Sequence, residues 1–287
     1  MRTAAAVRTA REPEVSTIDM LVALRETSRT FYLPVVRLPA GLREAVASGY
    51  LCMRALDEIE DHPDVSNEQK GELLVALSLA FQGQTSVEAF DRAPIDAALA
   101  GYRDTLPEVS LHLADWAILA PAAIAPRIWE AIAAMADRMA YWAGVSWSID
   151  SLEALDRYTF SVAGSVGILL CDLLAFFEGS QVDRSHAVLF GRGLQLVNIV
   201  RNRSDDLARG IDFFPPGYTA ERVMAYAREC LGRAEAYALS VPSRAFYALY
   251  QIPLKLAYAT LDAMARGEPK LSREAVLALV GEADGQA

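Results

Sequence analysis

Apolar residues recur along this chain at intervals of three and four, the period of a helix buried on one face. The alternation of a half-buried strand is nearly absent. From Leu42 through Val46, Tyr50, Leu51, Met53 and Leu56 the spacing predicts one helix. Ser66 with Gln69 resembles a capping box, in which two side chains satisfy each other's free backbone N–H groups; it opens a helix through Leu73, Leu74, Leu77 and Leu79. Asp150 with Glu153 opens another, running through Tyr158 towards Phe177, and Ser272 opens a last short one ending near Gly281. Breaks fall at His62–Pro63, 83–85, 214–217, Val241–Pro242 and 267–269. None is long enough to link domains. The pattern predicts an all-α chain of about ten helices, with a loose tail over 1–15 and a single domain over 16–287. The run Val162–Leu170 is apolar nearly all round, so its helix must lie at the centre of others. Ala163, Gly164 and Gly167 there either let helices approach closely or leave room for a ligand.

Composition sharpens this picture. With 287 residues and 53% apolar types, the chain can bury a large core, and disorder is excluded. Lys and Arg number 27 against 37 Asp and Glu, a net charge of −10, which argues against nucleic acid as a partner. A phosphorylated small molecule stays open, because metal ions can meet its charge. Cys52, Cys171 and Cys230 form no closely spaced pair, which favours a reducing, cytoplasmic setting. The tail carries Arg2, Arg8 and Arg11 without the apolar core of a signal peptide. Val162–Phe177 is interrupted by Asp172 and falls short of the roughly 20 residues that span a bilayer. The expectation is a soluble protein, with peripheral membrane contact through an apolar mouth left open. Oligomeric state is not legible.

Charge then appears where a packed helix should exclude it. Asp57, Glu60 and Asp61 follow the apolar helix around Met53 and share one face, although like charges at that spacing repel. A second helix repeats the arrangement, placing Asn202, Asp205 and Asp206 after Gln195, Asn198 and Arg201. Two such oxygen-rich faces confronting each other suit a hard cation, and Mg²⁺ is the one that commonly joins carboxylates to phosphates. Arg54 and Arg201 precede their clusters by a turn or less and can meet diphosphate oxygens. Metal-held diphosphate leaves readily, and an apolar helical cavity shields the carbocation it leaves behind. The chemistry predicted is ionisation of a prenyl diphosphate.

Five stretches in order resemble the squalene/phytoene synthase family: 27–31 (TSRTF), Tyr50-x-x-x-Arg54-x-x-Asp57-x-x-Glu60-Asp61, Tyr158 with Val162–Gly167, Gln195-x-x-Asn198-Ile199-Val200-Arg201, and Phe213-Phe214-Pro215. Ile252-Pro253 with Ala259-Thr260-Leu261 is similar to the late helix of squalene synthases. The resemblance implies a single-domain isoprenoid synthase-type helical bundle with a central apolar cavity. It implies a head-to-head condensation of two farnesyl diphosphates through presqualene diphosphate, to squalene with NADPH or to dehydrosqualene without it. By position, Asp57, Glu60, Asp61, Asn202, Asp205 and Asp206 form the metal faces, with Glu60 in support. Ser28, Arg29, Thr30, Tyr50, Arg54 and Arg201 hold diphosphate, Gln195 and Asn198 line the same face, and Tyr158 handles a proton.

Three positions depart from the family pattern. Asn202 stands where the family usually has Asp, Ile211 where many members have Arg, and Tyr141–Trp142 in a stretch that is usually Gly-Met. Bulky aromatics at 141 and 142 are expected to shorten or reshape the cavity. That keeps two alternatives open: a terpene cyclase, prenyltransferase or phytoene synthase acting on another prenyl diphosphate, and a non-catalytic isoprenoid-binding subunit.

Overall fold

The computed structural model describes residues 15–239, 241, 243–268, 271, 274–276 and 278–279, the side chains of residues 29, 30, 246 and 248 excepted. The tail over 1–14 and the caps expected at Ser272 and Gly281 lie outside the described residues.

The described residues contain helices and no strand. They run α1 (Thr17–Thr27), α2 (Arg29–Val36), α3 (Leu42–Asp61), α4 (Asn67–Gln82), α5 (Ala93–Leu99), α6 (Glu108–Leu111), α7 (Leu113–Ile118), α8 (Ala125–Gly144), α9 (Leu152–Thr159), α10 (Ser165–Glu178), α11 (Arg184–Ala208), α12 (Ala220–Ala238) and α13 (Arg244–Ala265). The expected ten become thirteen mainly because the 93–118 region breaks into three short pieces around Pro94, Pro107 and His112.

Local chemistry sets several of these ends. Ser66 and Gln69 form the expected capping box on α4. Ser151, one residue past the expected Asp150, caps α9 by accepting from the Ala154 N–H at 3.2 Å. Between α9 and α10 the chain makes a π turn over Phe160–Gly164. The resulting continuous helix, Leu152–Glu178, is long and apolar enough to cross a membrane by length and composition, although nearly half of that stretch is buried inside the protein. The sequence estimate was shorter because it counted only the uncharged run and not the helix that carries it.

Two apolar clusters fill the interior. One gathers α1, α3, α4, α5–α8 and α10; the other gathers α9, α11, α12 and α13 with Trp142, Trp147, Phe213 and Phe214. Val162 packs against both. Buried serines tie the first cluster across helices, Ser48 Oγ donating to the Trp116 carbonyl at 2.7 Å and Ser78 Oγ to that of Ala133 at 2.9 Å. The small residues of the apolar run serve both readings offered for them. A Cβ on Gly167 would strike the Ala187 carbonyl, and one on Gly191 that of Ala163, so α11 lies directly on the π turn and α10. Ala163, Gly167 and Gly191 also line a cavity.

Candidate active site

That cavity, about 250 Å³, lies between α3 and α11. Its polar wall is Tyr50, Arg54 and Asp57 from α3 facing Gln195 and Asn198 from α11. Its apolar wall is Met53, Met135, Val162, Val166, Leu170, Phe190 and Leu194. A second, larger cavity of about 520 Å³ adjoins it further along the same face of α11, bounded by Asn198, Arg201 and Asn202 with Pro253, Leu256 and Thr260 of α13. Phe31, Leu194 and Asn198 border both. The two cavities therefore share an edge that carries an amide, the first largely apolar and the second of mixed polar and apolar lining.

The helical period brings one acidic group, Asp57, to the first cavity, whereas the second is lined by no carboxylate among the described residues. Asp57 borders the first cavity, and Asp61 lies one turn further along α3, largely exposed. Asp206 approaches from α11 and is nearly buried. The two clusters meet through Arg209, whose Nη1 donates to Asp61 Oδ1 at 3.0 Å and whose Nη2 donates to Asp206 Oδ1 at 2.6 Å. Asp61 and Asp206, one from each expected cluster, thus lie on either side of one guanidinium, while Asp205 is exposed and Asn202 borders the second cavity.

Electrostatics reflect this crowding. Burial and then the charge of Asp61 raise the Asp57 carboxyl above its ordinary value, against the pull of Arg54. Burial likewise raises Asp206, which Arg209 opposes. Glu60 is buried and accepts from Trp147 Nε1 at 2.7 Å, so it stands behind the acidic face as a support. Burial and the charges of Asp57 and Asp61 push Glu60 up to about 8, against the hydrogen bond from Trp147. Trp147 holds this place from a left-handed backbone conformation at φ 48°, unusual for a bulky residue.

Several expected residues gather around Arg54. Its guanidinium forks to Asp57 and Glu58, and its buried Nε has no hydrogen-bond partner. Tyr50 stacks on Phe31 with ring centroids 5.3 Å apart. Burial raises the Tyr50 hydroxyl, with a hydrogen bond to Ser28 working against that. Ser28 also caps α2, accepting from the Phe31 N–H at 3.2 Å. The Asn198 amide donates to Gln195 Oε1 at 3.5 Å, and Arg201 Nε to Asn202 Oδ1 at 3.1 Å. Asp205 is exposed. The side chains of Arg29 and Thr30 lie outside the described residues.

Tyr158 sits deeper. It is buried, stacked on Phe213 at 4.5 Å and edge-on to Trp142 at 5.5 Å. Burial first, then the charges of Glu60 and Asp61, raise its hydroxyl well above the ordinary value. It holds its proton.

The expectation for residues 141 and 142 is corrected. Tyr141 is 54% exposed, and Trp142 is buried with its Nε1 donating to Ser161 Oγ at 3.1 Å. Neither is among the residues lining either chamber. Adjacent residues on a helix point about 100° apart, so one faces solvent and the other the core, and neither shortens the cavity.

The donor set fits a divalent ion of the Mg²⁺ type. Carboxylate and amide oxygens dominate it, a side-chain cation already bridges Asp61 and Asp206, and an orphaned guanidinium nitrogen lies beside the cavity. Among the described residues, no three His, Cys, Asp or Glu side chains close into a complete cage. Substrate oxygens or water would have to complete the coordination of any ion held there. Sequence reasoning missed Arg209. Its signal was a basic residue three positions after Asp206, where a helical turn returns it to the same face.

Comparison with known proteins follows the same lines. The pattern described as squalene/phytoene synthase matches residues 24–216. A squalene synthase of Schizosaccharomyces pombe is 28% identical over 273 residues, covering 84% of this chain and 58% of its own. One of Eremothecium gossypii is 33% identical over 205 residues, covering 67% and 44%. The chain thus spans about half the length of the curated relatives it matches. The structure of TcSQS with the ligand E5700 shares the fold, with a TM-score of 0.73 at 22% identity, covering 91% of this chain and 84% of that one.

Proposed function

The chain belongs to the squalene/phytoene synthase family, and on that premise we propose that it condenses two farnesyl diphosphates head to head, through presqualene diphosphate, to squalene or dehydrosqualene. The observation that carries this reading is the pair of cavities joined at Phe31, Leu194 and Asn198, the first bordered by Arg54 and Asp57, with Asp61 one turn beyond and bridged to Asp206. Two prenyl chains need two adjoining spaces, and their diphosphates need cationic and metal-binding groups beside them.

In this reading one continuous domain from residue 16 onwards carries the reaction. Asp57, Asp61, Asn202, Asp205 and Asp206 would hold Mg²⁺, with Glu60 behind them. Mg²⁺, when bound, neutralises charge on a departing diphosphate. Arg54 would meet the same oxygens with its free Nε, and Ser28, Arg29, Thr30, Tyr50 and Arg201 would orient the diphosphates. As the donor's C–O bond breaks, the electron pair leaves with the diphosphate, and the allylic cation is attacked by the acceptor's double bond. Loss of a proton closes the cyclopropane. The apolar wall from Met53 to Leu194 keeps water from the cation. Gln195 and Asn198 line the cavity and would lie beside the carbon framework, where charge is dispersed. Tyr158, which keeps its proton and lines neither cavity, would serve as a buried hydrogen-bond donor behind the acidic groups, not as a base.

After the second diphosphate departs, hydride from NADPH would give squalene, and proton loss would give dehydrosqualene. The apolar product would be released through peripheral membrane contact by a cytoplasmic protein. The single-substrate reading loses its main support, because Tyr141 and Trp142 do not line the chambers.

Incubation with farnesyl or geranylgeranyl diphosphate, Mg²⁺, and NADPH present or absent tests this. A C30 hydrocarbon from farnesyl diphosphate is the expected product, and its hydrogen count reports whether NADPH is used. A C15 product would restore the one-substrate reading, and a C40 product a phytoene synthase. No diphosphate release from either substrate would leave a non-catalytic subunit.

A further inference from the structure

The two acidic faces are joined by one side chain that no family motif assigns. Arg209 is the residue at which α11 ends, its N–H donating to the Asp205 and Asp206 carbonyls, and Gly210 at φ +80° turns the chain away behind it. Besides its bonds to the Asp61 and Asp206 carboxylates, Nη1 donates to the Asp61 backbone carbonyl at 3.1 Å. Asp61 lies 148 residues earlier, on α3. Asp61 and Asp206 face Arg209 directly, Asp57 and Glu60 from α3 and Asp205 from α11 stand behind those two, and the Lys70 cation of α4 also interacts with it.

The oxygens that Arg209 holds are the ones a divalent ion would need. A guanidinium and a metal ion cannot share Asp61 Oδ1 and Asp206 Oδ1 at bonding distance, because both are cations and both need the same lone pairs. The side chain is one-third exposed, so it can swing towards solvent without opening the core. We propose that Arg209 is a built-in counter-cation: it holds the two acidic faces together in the metal-free protein and competes with the divalent ion for Asp61 and Asp206, so that metal entry requires its release. This rests on the metal-dependent reading above.

Calorimetric titration of Mg²⁺ into the metal-free full chain, without diphosphate, separates the possibilities. Arg209→Gln should bind Mg²⁺ roughly three- to tenfold tighter than the unaltered protein, since one or two partly exposed ion pairs no longer compete. It should also melt at a lower temperature in EDTA, with the gap closing at saturating Mg²⁺. Arg209→Lys, which keeps the charge but loses the fork, should fall between them, and it decides the matter if Arg209→Gln does not fold. A purely structural arginine would make the variant bind Mg²⁺ more weakly, and that result, or an unchanged affinity, would overturn the proposal alone. An unaltered protein that takes up no Mg²⁺ would overturn it together with the metal-dependent reading.

Discussion

Glu60 and Asp61 are neighbours with opposite surroundings. Asp61 points to the open acidic end, where Arg209 reaches it, and Glu60 is buried against Trp147. Asp61→Ala should therefore remove turnover by at least ~100-fold, with a fall in melting temperature in EDTA no larger than that of Arg209→Gln, because Arg209 keeps its bond to Asp206. Activity near normal with an intact fold would remove Asp61 from the site. For Glu60 the expected effect lies in stability. Its pKa rises from an ordinary 4.5 to about 8, so the folded state binds the proton more tightly than the unfolded chain. The sign follows: stability is greatest below the ordinary value and falls as pH rises through about 8. Glu60→Gln keeps an acceptor for Trp147 and cannot ionise, so it should flatten that fall. Denaturant titrations of the metal-free protein at pH 5 and pH 8.5 would measure it. Which acids form the face was legible from i, i+3 and i+4 spacing. Which of them is buried was not, because Trp147 arrives from a loop 87 residues away.

At the level of helices, the contact between α11 and the π turn explains why small residues cluster at 163, 164, 167 and 191. Gly191→Ala would drive a Cβ into the Ala163 backbone. Overpacking of that kind costs about 1–3 kcal/mol, so a clear fall in melting temperature is expected, together with poorer prenyl binding because the same residues line the cavity. Tyr141→Ala should do neither. Its ring is more than half exposed, so the carbon count of the product should not change; a longer product would show that Tyr141 limits the chamber. Helix positions and the Ser66 cap could be read locally. The π turn could not, since nothing in the Phe160–Gly164 composition distinguishes a five-residue from a four-residue hydrogen-bonded turn.

For the whole molecule, the acidic end couples proton and metal uptake. Asp57, Glu60 and Asp206 all hold protons more tightly than exposed carboxylates do, and a cation favours their ionised forms. Mg²⁺ binding should therefore release protons, and apparent Mg²⁺ affinity should rise with pH towards about 8, where Glu60 titrates. Calorimetry at pH 7 in two buffers of different ionisation enthalpy would detect this. Equal heats in both would mean that these groups are already ionised.

Periodicity and spacing alone determined that the chain is helical, where α3, α4 and the α9–α10 helix begin, and that two oxygen-rich runs exist, because those properties depend on residues three or four apart. Which groups meet was decided only by the tertiary structure. The joining of Asp61 to Asp206 by Arg209, the shared wall of the two chambers and the exclusion of Tyr141 and Trp142 from them all depend on contacts between distant segments, and no local pattern encodes how two helices are rotated about each other.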